Sequence, residues 1–253
     1  MEEESRLFEI FLEVQRGLPR QGPGAAQSTL DALALCRGLP EHPSVLDIGC
    51  GPGLQTLVLA EALDGPITAV DLLQEYLDSL NERAAATGLA ERIEVLAGDM
   101  AELPFPDRSF DLIWAEGSAY IMGFEAAFRA WRRLLKPGGC IAMTELTWLR
   151  SDPPAEAAAF FQTEYPAMTT LEANMASLKA CGYDLLGTFT LPEAAWWDDY
   201  YTPLEARLPR LKACYADDPA ARSVVATTER EIDVRRRFGD AYGYVFFVAQ
   251  KAG

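Results

Sequence analysis

The stretch Ser44-Val45-Leu46-Asp47-Ile48-Gly49-Cys50-Gly51-Pro52-Gly53 constrains the fold more than any other part of the chain. A short apolar strand runs straight into glycines at every second position, and the apolar helix Leu54–Leu63 follows. Glycine there lets the backbone turn tightly and lets a ligand approach without interference from a Cβ. The pattern then repeats without the glycine cluster. Ile67–Val70 reads as a strand ending at Asp71, Ile93–Leu96 as one ending at Gly98-Asp99, and Phe110–Trp114 as a fourth. Pro137-Gly138-Gly139 turns the chain into a fifth, Cys140–Leu146, while Gln74–Thr87 and Phe124–Leu135 carry helical periodicity between them. Strands alternating with helices at this spacing imply right-handed βαβ units, a parallel sheet and the α/β class.

The flanks are less regular. Leu7, Ile10, Phe11 and Val14, with Phe8 beside them, predict an amphipathic helix over 5–16. Arg20-Gln21-Gly22-Pro23-Gly24 breaks it, and helical periodicity resumes over Ala25–Cys36. Residues 150–182 read as a mostly helical cap inserted between strands five and six, with Leu185–Thr190 as the sixth strand. The aromatic run Trp196–Tyr201, helical stretches near Pro203–Tyr215 and Ala220–Phe238, and an apolar run Tyr242–Ala249 follow. That last run could pair at the sheet edge. With no internal repeat or linker, 1–253 is expected to be a single domain. It comprises an N-terminal helical cover (1–38), a ligand-binding core (43–149), a helical cap insertion (150–182) and a C-terminal part of sheet and helices (183–253).

Composition excludes several functions. Lys plus Arg number 22 against 38 Asp plus Glu, a net charge of −16 that repels a phosphate backbone and argues against nucleic acid. The one dense basic run, Arg235-Arg236-Arg237, reads as a solvated helix end. The acidic start and the absence of a long apolar run predict a cytoplasmic protein that engages no membrane. The five cysteines have no metal-ligand spacing, and the single His42 lies in a Glu-His-Pro turn, so no metal is expected.

Asp71, at the end of the second strand, is placed to accept hydrogen bonds from both hydroxyls of a ribose. A dinucleotide site requires G-x-G-x-x-G, whereas this turn is G-x-G-x-G preceded by Asp47, a carboxylate ill suited to phosphates and well suited to an ammonium group. Here the chain resembles the class I S-adenosylmethionine-dependent methyltransferases, whose first motif is (D/E)-x-G-x-G-x-G, over roughly Ser44–Leu146. The resemblance implies a Rossmann-like, doubly wound, mostly parallel seven-stranded sheet with a last antiparallel strand. It also implies roles residue by residue. Asp47 would orient the methionine end, Gly49, Cys50 and Gly51 would pack against the ligand, and Asp71 would hold the ribose. Leu72 would lie against the adenine, Asp99 would accept from its amino group, and Met100 would offer its backbone N–H. Gln21 would lie over the methionine moiety, with Glu116 near the sulfonium.

The methyl acceptor is expected to be a small molecule, set by the cap and by the segments after strands four and five. Glu145, Glu116 and Tyr120 are the candidate acid–base groups. Trp148, Trp196, Trp197 and Tyr200 are the candidate substrate pocket, suiting a flat aromatic or a cationic acceptor. Two alternatives remain open, an NAD(P)-dependent oxidoreductase and a non-catalytic S-adenosylmethionine-binding sensor or partner protein. The apolar face of the N-terminal helix could cover the pocket or pair two protomers as a homodimer.

Overall fold

The computed structural model describes residues 2–253, with side chains from Arg6 onward, so Met1 of the expected cover lies outside the described residues. Five parallel strands arise in the order the sequence places them, although the fifth starts at Leu135 rather than Cys140, takes in Pro137-Gly138-Gly139 and leaves the preceding helix to end at Trp131. They are β1 (Val45–Ile48), β2 (Ile67–Asp71), β3 (Ile93–Ala97), β4 (Phe110–Ala115) and β5 (Leu135–Trp148). A two-residue β6 (Thr169–Thr170) pairs with the end of β5, and β7 (Tyr183–Thr190) and β8 (Tyr242–Lys251) complete the sheet. The order is β3-β2-β1-β4-β5-β8-β7, with β8 antiparallel to both neighbours. The strand order reverses between β1 and β4, and a crevice opens at the carboxyl ends of strands at such a switch point.

Tyr242–Ala249, expected at the sheet edge, is instead interior, and β7 is the edge strand. The reason lies in its composition. Val245 and Phe247 face one side of the sheet while Phe246 and Val248 face the other, so both faces demand cover.

Helices cover both faces. On one side α2 (Ala26–Leu35), α3 (Leu54–Ala62) and α4 (Gln74–Thr87) bury Ala32, Leu59 and Leu80 against Val45, Ala69 and Trp114. On the other, α5 (Phe124–Trp131) and α7 (Leu171–Ala180) bury Phe128, Trp131 and Leu178 against Ile113, Ile141 and Met143. Truncating a side chain such as Trp131, 1 % exposed, would cost about 3–5 kcal/mol.

A third core lies beyond the carboxyl edge. There α1 (Glu2–Gln15), α6 (Ala155–Glu164), α8 (Ala194–Trp196), α9 (Thr202–Cys214) and α10 (Pro219–Phe238) join around Ile10, Val14, Phe161, Tyr201 and Val225. The stretch 150–182, expected as the cap, thus divides between layers: α6 enters this third core and α7 packs on the sheet. The larger share of the cap comes from 194–238. The basic run also departs from expectation. Arg236 and Arg237 pair at the surface with Glu205 and Glu156. Arg235 is buried, stacked 3.9 Å from the Trp196 ring centroid and donating to the Tyr242 carbonyl at 2.9 Å. It is a packing residue of the cap, since a guanidinium stacks flat on an indole while its edge still finds acceptors.

Candidate active site

A cavity of about 410 Å³ opens at the switch point. Its floor is the glycine turn after β1. Gly49, at φ 69°, brings the backbone so close to the segment after β4 that a Cβ there would sit 2.4 Å from the Ser118 Cβ. Gly51, at φ 54°, also lines the cavity but leaves room, the nearest atom to an added Cβ being the Gln21 Cγ at 3.7 Å. Cys50 is buried within the turn, and burial pushes its thiol pKa up, which suits a packing residue.

Asp47 is fully buried at the end of β1. Its Oδ2 accepts from the Thr56 hydroxyl at 2.6 Å and from Gln55 Nε2 at 3.3 Å, and its Oδ1 has no partner. Burial is the main cause that lifts its pKa to about 7, helped by the charges of Glu116 and Asp71. Asp71, at the end of β2, accepts from the backbone N–H of Gly51 at 2.9 Å and of Leu73 at 3.0 Å. These bonds fix the carboxylate at the cavity wall and leave lone pairs for a ligand. Leu72 is 67 % exposed and lines the cavity, as do Asp99 and Met100 after β3. Asp99 Oδ1 accepts from the Ala101 N–H at 2.8 Å, and the Met100 carbonyl accepts from Trp131 Nε1 at 2.9 Å.

The roof is the N-terminal cover. Gln21 lines the cavity, its Oε1 accepting from the Tyr76 hydroxyl at 2.7 Å and its Nε2 donating to the Gln15 carbonyl at 3.4 Å. Phe8 and Phe11 on α1, 51 % and 41 % exposed, stand at the mouth with Ile121.

The candidate acid–base groups fare differently. Glu116, just after β4, lines the cavity but is held by the protein itself. Arg20 pairs with its Oε2 at 3.1 Å, and its Oε1 accepts from the Thr29 hydroxyl at 2.6 Å and Trp114 Nε1 at 2.9 Å. That arrangement pins the cover onto the sheet. Glu145, within β5, is 2 % exposed and absent from the cavity lining. Its Oε1 accepts a short hydrogen bond from the Tyr165 hydroxyl, and its Oε2 has no partner. Burial pushes its pKa up to about 7 against the opposing pull of Tyr165. Tyr120 lines the cavity and packs edge-on against Tyr165, ring centroids 5.8 Å apart.

None of the four candidate substrate-pocket aromatics lines the cavity. Trp196 lies under Arg235, Trp148 packs against Phe161 and Tyr242, Trp197 donates to Glu193 at 2.5 Å, and the Tyr200 hydroxyl accepts from Gln15 at 3.4 Å. Their apolar bulk is consumed in the core that holds the cap helices together. Arg20 and Tyr76 are cavity residues to which sequence patterns assign no site role, whereas Phe8 and Phe11 stand on the helix expected as a cover and Ser118 in the segment after strand four. The Arg20–Gly24 break was the available signal for the first of these, because a bare connector has no need of an arginine beside two glycines.

Residues 45–139 match the family model described as a methyltransferase domain. Over 159 residues the chain is 31 % identical to a 27-O-demethylrifamycin SV methyltransferase of Amycolatopsis mediterranei, covering 61 % of this chain and 58 % of that protein. Over 195 residues it is 27 % identical to a sterol 24-C-methyltransferase of Neurospora crassa, covering 73 % and 51 %. The matches thus span about half the length of these curated relatives. A solved S-adenosylmethionine-dependent methyltransferase of Geobacter sulfurreducens, in complex with S-adenosyl-L-homocysteine, superposes with a TM-score of 0.78 at 23 % identity over 96 % of this chain and 97 % of that one. Residues 45–139 thus match a methyltransferase domain model, and the chain has the Rossmann-like fold seen in a solved S-adenosylmethionine-dependent methyltransferase.

Proposed function

We propose that the protein is an S-adenosylmethionine-dependent methyltransferase acting on a small-molecule acceptor, releasing S-adenosyl-L-homocysteine. The observation that carries this reading is one cavity bounded at once by the glycine turn, Asp71, Leu72, Asp99 and Met100, the residues that hold the cofactor in proteins with this motif order. The residues fit the group on their own chemistry. Asp47 lies behind the glycine turn, outside the cavity lining, with a buried unpartnered oxygen that a bridging water would join to the ligand, and Gly51 leaves open the space a Cβ would fill. Asp71 is anchored by backbone N–H groups with capacity to spare for two ribose hydroxyls, and Leu72 offers an uncovered apolar face for a purine.

When bound, the cofactor supplies a methyl group already activated on a sulfonium. What remains for the chain is alignment, exclusion of water and care of a proton. Gln21 and α1 close the roof, and the Arg20–Glu116 pair locks that roof to β4. In this reading Glu116 serves chiefly by position and Tyr120 meets the acceptor, while Glu145, bonded to Tyr165 and outside the cavity lining, does not touch it. The residues of α1 that face outward line the cavity mouth, which favours a covering role for this helix over homodimer pairing. Among the described residues no helix is long and apolar enough to cross a membrane. With the strongly acidic charge, this supports a cytoplasmic enzyme with a dissolved acceptor rather than nucleic acid. We take 1–253 to work as a single domain.

Calorimetric titration with S-adenosylmethionine, S-adenosyl-L-homocysteine and NADH tests the reading. The first two are expected to bind and NADH not. Asp71→Ala should weaken binding by about 10- to 100-fold, as loss of hydrogen bonds to a charged acceptor implies. Binding of NADH alone, or an unchanged affinity in a folded Asp71→Ala, would sink it.

A further inference from the structure

Among the described residues Arg20 is the only basic side chain lining the cavity, against the acids Asp71, Asp99 and Glu116. It is 6 % exposed, and the bonds that hold it leave much of its donor capacity unused. Its Nη1 donates to Glu116 Oε2 at 3.1 Å, while its buried Nε has no partner. A guanidinium carries its N–H donors in a flat fork, and the edge that includes Nε can grip both oxygens of one carboxylate. Glu116 does not saturate this charge, because its other oxygen is shared between the Thr29 hydroxyl at 2.6 Å and Trp114 Nε1 at 2.9 Å. Those two bonds fix Glu116, and Glu116 in turn fixes the guanidinium. Gly24 completes the seat. A Cβ there would lie 2.5 Å from Arg20 Nη1 and 3.1 Å from Glu116 Oε2, so the backbone passes over the ion pair undisturbed only as glycine.

We propose that Arg20 holds the α-carboxylate of the cofactor's methionine moiety, with Glu116 as the residue that positions it. The proposal rests on the methyltransferase reading and adds a binding group to that same site. The strand order decides where the amino-acid end of the ligand lies. Asp71 ends β2 and Glu116 follows β4, and the glycine turn after β1 runs between them. With the nucleoside held at Asp71 and its base on the β3 side, the rest of the molecule crosses that turn toward Glu116 and Arg20. Gln21, the neighbour of Arg20, has its Cγ 3.7 Å from where a Cβ on Gly51 would lie, so the Arg20–Gly24 loop stands directly above the turn.

The charges at that end of the cavity fit a zwitterion in one orientation. An α-ammonium suits the side of Glu116, whereas a carboxylate there would meet a like charge, and Arg20 is the one lining group that can offset it. A carboxylate taken out of water needs donors, and the Nε edge supplies them in fixed geometry. Because Glu116 already holds the guanidinium, little side-chain freedom is lost when the ligand arrives. A lysine at this position would bring the charge without the fork. The Arg-Gln-Gly-Pro-Gly break thereby gains a purpose beyond connection: its arginine is the clamp and its last glycine makes room for it. An acceptor carboxylate is the other possible occupant by chemistry. The cofactor is favoured because Arg20 belongs to the loop above the turn, while the mouth is formed by Phe8, Phe11 and Ile121.

The test titrates the full chain calorimetrically with S-adenosyl-L-homocysteine, with its decarboxylated analogue, which keeps the amine, and with methylthioadenosine, which lacks the amino-acid end. In the wild type, loss of the carboxylate alone should weaken binding about 10- to 100-fold. The double variant Arg20→Met with Glu116→Leu leaves neither charge unpaired, and it should bind the first two ligands within about threefold of each other. Its affinity for methylthioadenosine should change less than about twofold. Glu116→Gln, whose amide oxygen can still accept from Nη1, should keep most of the wild-type ratio, and losing it would overturn the positioning role of Glu116. If the double variant folds poorly, Gly24→Ala serves instead. It keeps both charges but pushes the guanidinium from its seat, and the ratio should fall about threefold or more. A mere latch would weaken all three ligands alike, so a wild-type ratio retained in a folded double variant or in Gly24→Ala overturns the proposal. Equal wild-type affinity for S-adenosyl-L-homocysteine and its decarboxylated analogue also overturns it, and is the result expected if Arg20 serves a carboxylate on the acceptor. Failure of the wild type to bind either S-adenosyl-L-homocysteine or methylthioadenosine is a separate result and overturns the methyltransferase reading itself.

Discussion

The carboxyl ends of β1 and β2 and those of β4 and β5 build the same cavity region by opposite means. At β1 and β2 the chain provides backbone. Asp71 is held by two main-chain N–H groups, and the turn is shaped by the absence of side chains at Gly49 and Gly51. At β4 and β5 it provides side chains whose partners come from distant elements. Glu116 collects Arg20, Thr29 and Trp114, and Glu145 collects Tyr165. The first construction needs only local geometry and so is written in consecutive residues. The second depends on which layers meet.

The contrast is sharpest within the second region, where Glu116 is over-supplied with donors and Glu145 under-supplied. Removing Glu116 should have the largest effect. Glu116→Ala leaves the Arg20 guanidinium, 6 % exposed, as an uncompensated buried charge, a loss of about 3–5 kcal/mol. The double variant Glu116→Leu with Arg20→Met should recover most of it, because replacing both charges removes the desolvation problem. Urea unfolding measures both. A single-variant loss under about 1 kcal/mol would mean that the pair does not hold the roof down.

Glu145 should show itself through pH. Its folded pKa is raised from 4.5 to about 7, so between those values the folded protein keeps a proton that the unfolded chain has released. More protons bound in the folded state means that stability falls as pH rises, by up to about 3 kcal/mol across the window, and is highest for this group below pH 4.5. Asp47, raised from 3.8 to about 7, contributes with the same sign. Surface acids with lowered pKa values, such as Asp152, act oppositely, so the informative quantity is wild type minus Glu145→Gln. That difference should slope downward from about pH 4.5 to about pH 7.5. A flat difference would place the Glu145 carboxyl in a far more polar setting than its burial implies.

The same division explains what was legible in advance. Strands β1 to β5 and the cofactor turn are recorded by short-range periodicity and by glycines, and their order fixed the α/β class. The pairs Arg20–Glu116, Tyr165–Glu145 and Tyr201–Glu231 are separated by 96, 20 and 30 residues, and no spacing rule records them. Glu231 sits in Thr-Glu-Arg-Glu-Ile, which reads as a solvated helix face until α10 is packed against the aromatics of the cap. The expected division of the cap along the chain fails for a related reason. An amphipathic helix announces that one face is buried but not which layer buries it, so α7 and α10 look alike in sequence and lie in different cores. Trp196 and its neighbours were readable as aromatic, but the sequence held no sign that Arg235 would be their partner.

The smallest expected effects separate two glycines that the sequence treats as equivalent. Both have positive φ, so alanine at either carries a strain of about 1 kcal/mol. At Gly49 the added methyl also meets Ser118, whose hydroxyl is tied to the Ile48 carbonyl at 2.7 Å and cannot easily yield. Gly49→Ala should therefore lose roughly 1–3 kcal/mol more in urea unfolding. At Gly51 the methyl enters the cavity with nothing nearer than 3.7 Å, so Gly51→Ala should lose only the strain. Its cost should instead fall on ligand affinity, with S-adenosyl-L-homocysteine weakened about tenfold where the backbone must approach it closely. Equal stability losses at the two positions would show that the turn gives way around Ser118. An unchanged affinity in Gly51→Ala would show that the ligand keeps its distance from this part of the turn and takes its hold mainly from Asp71 and Asp47.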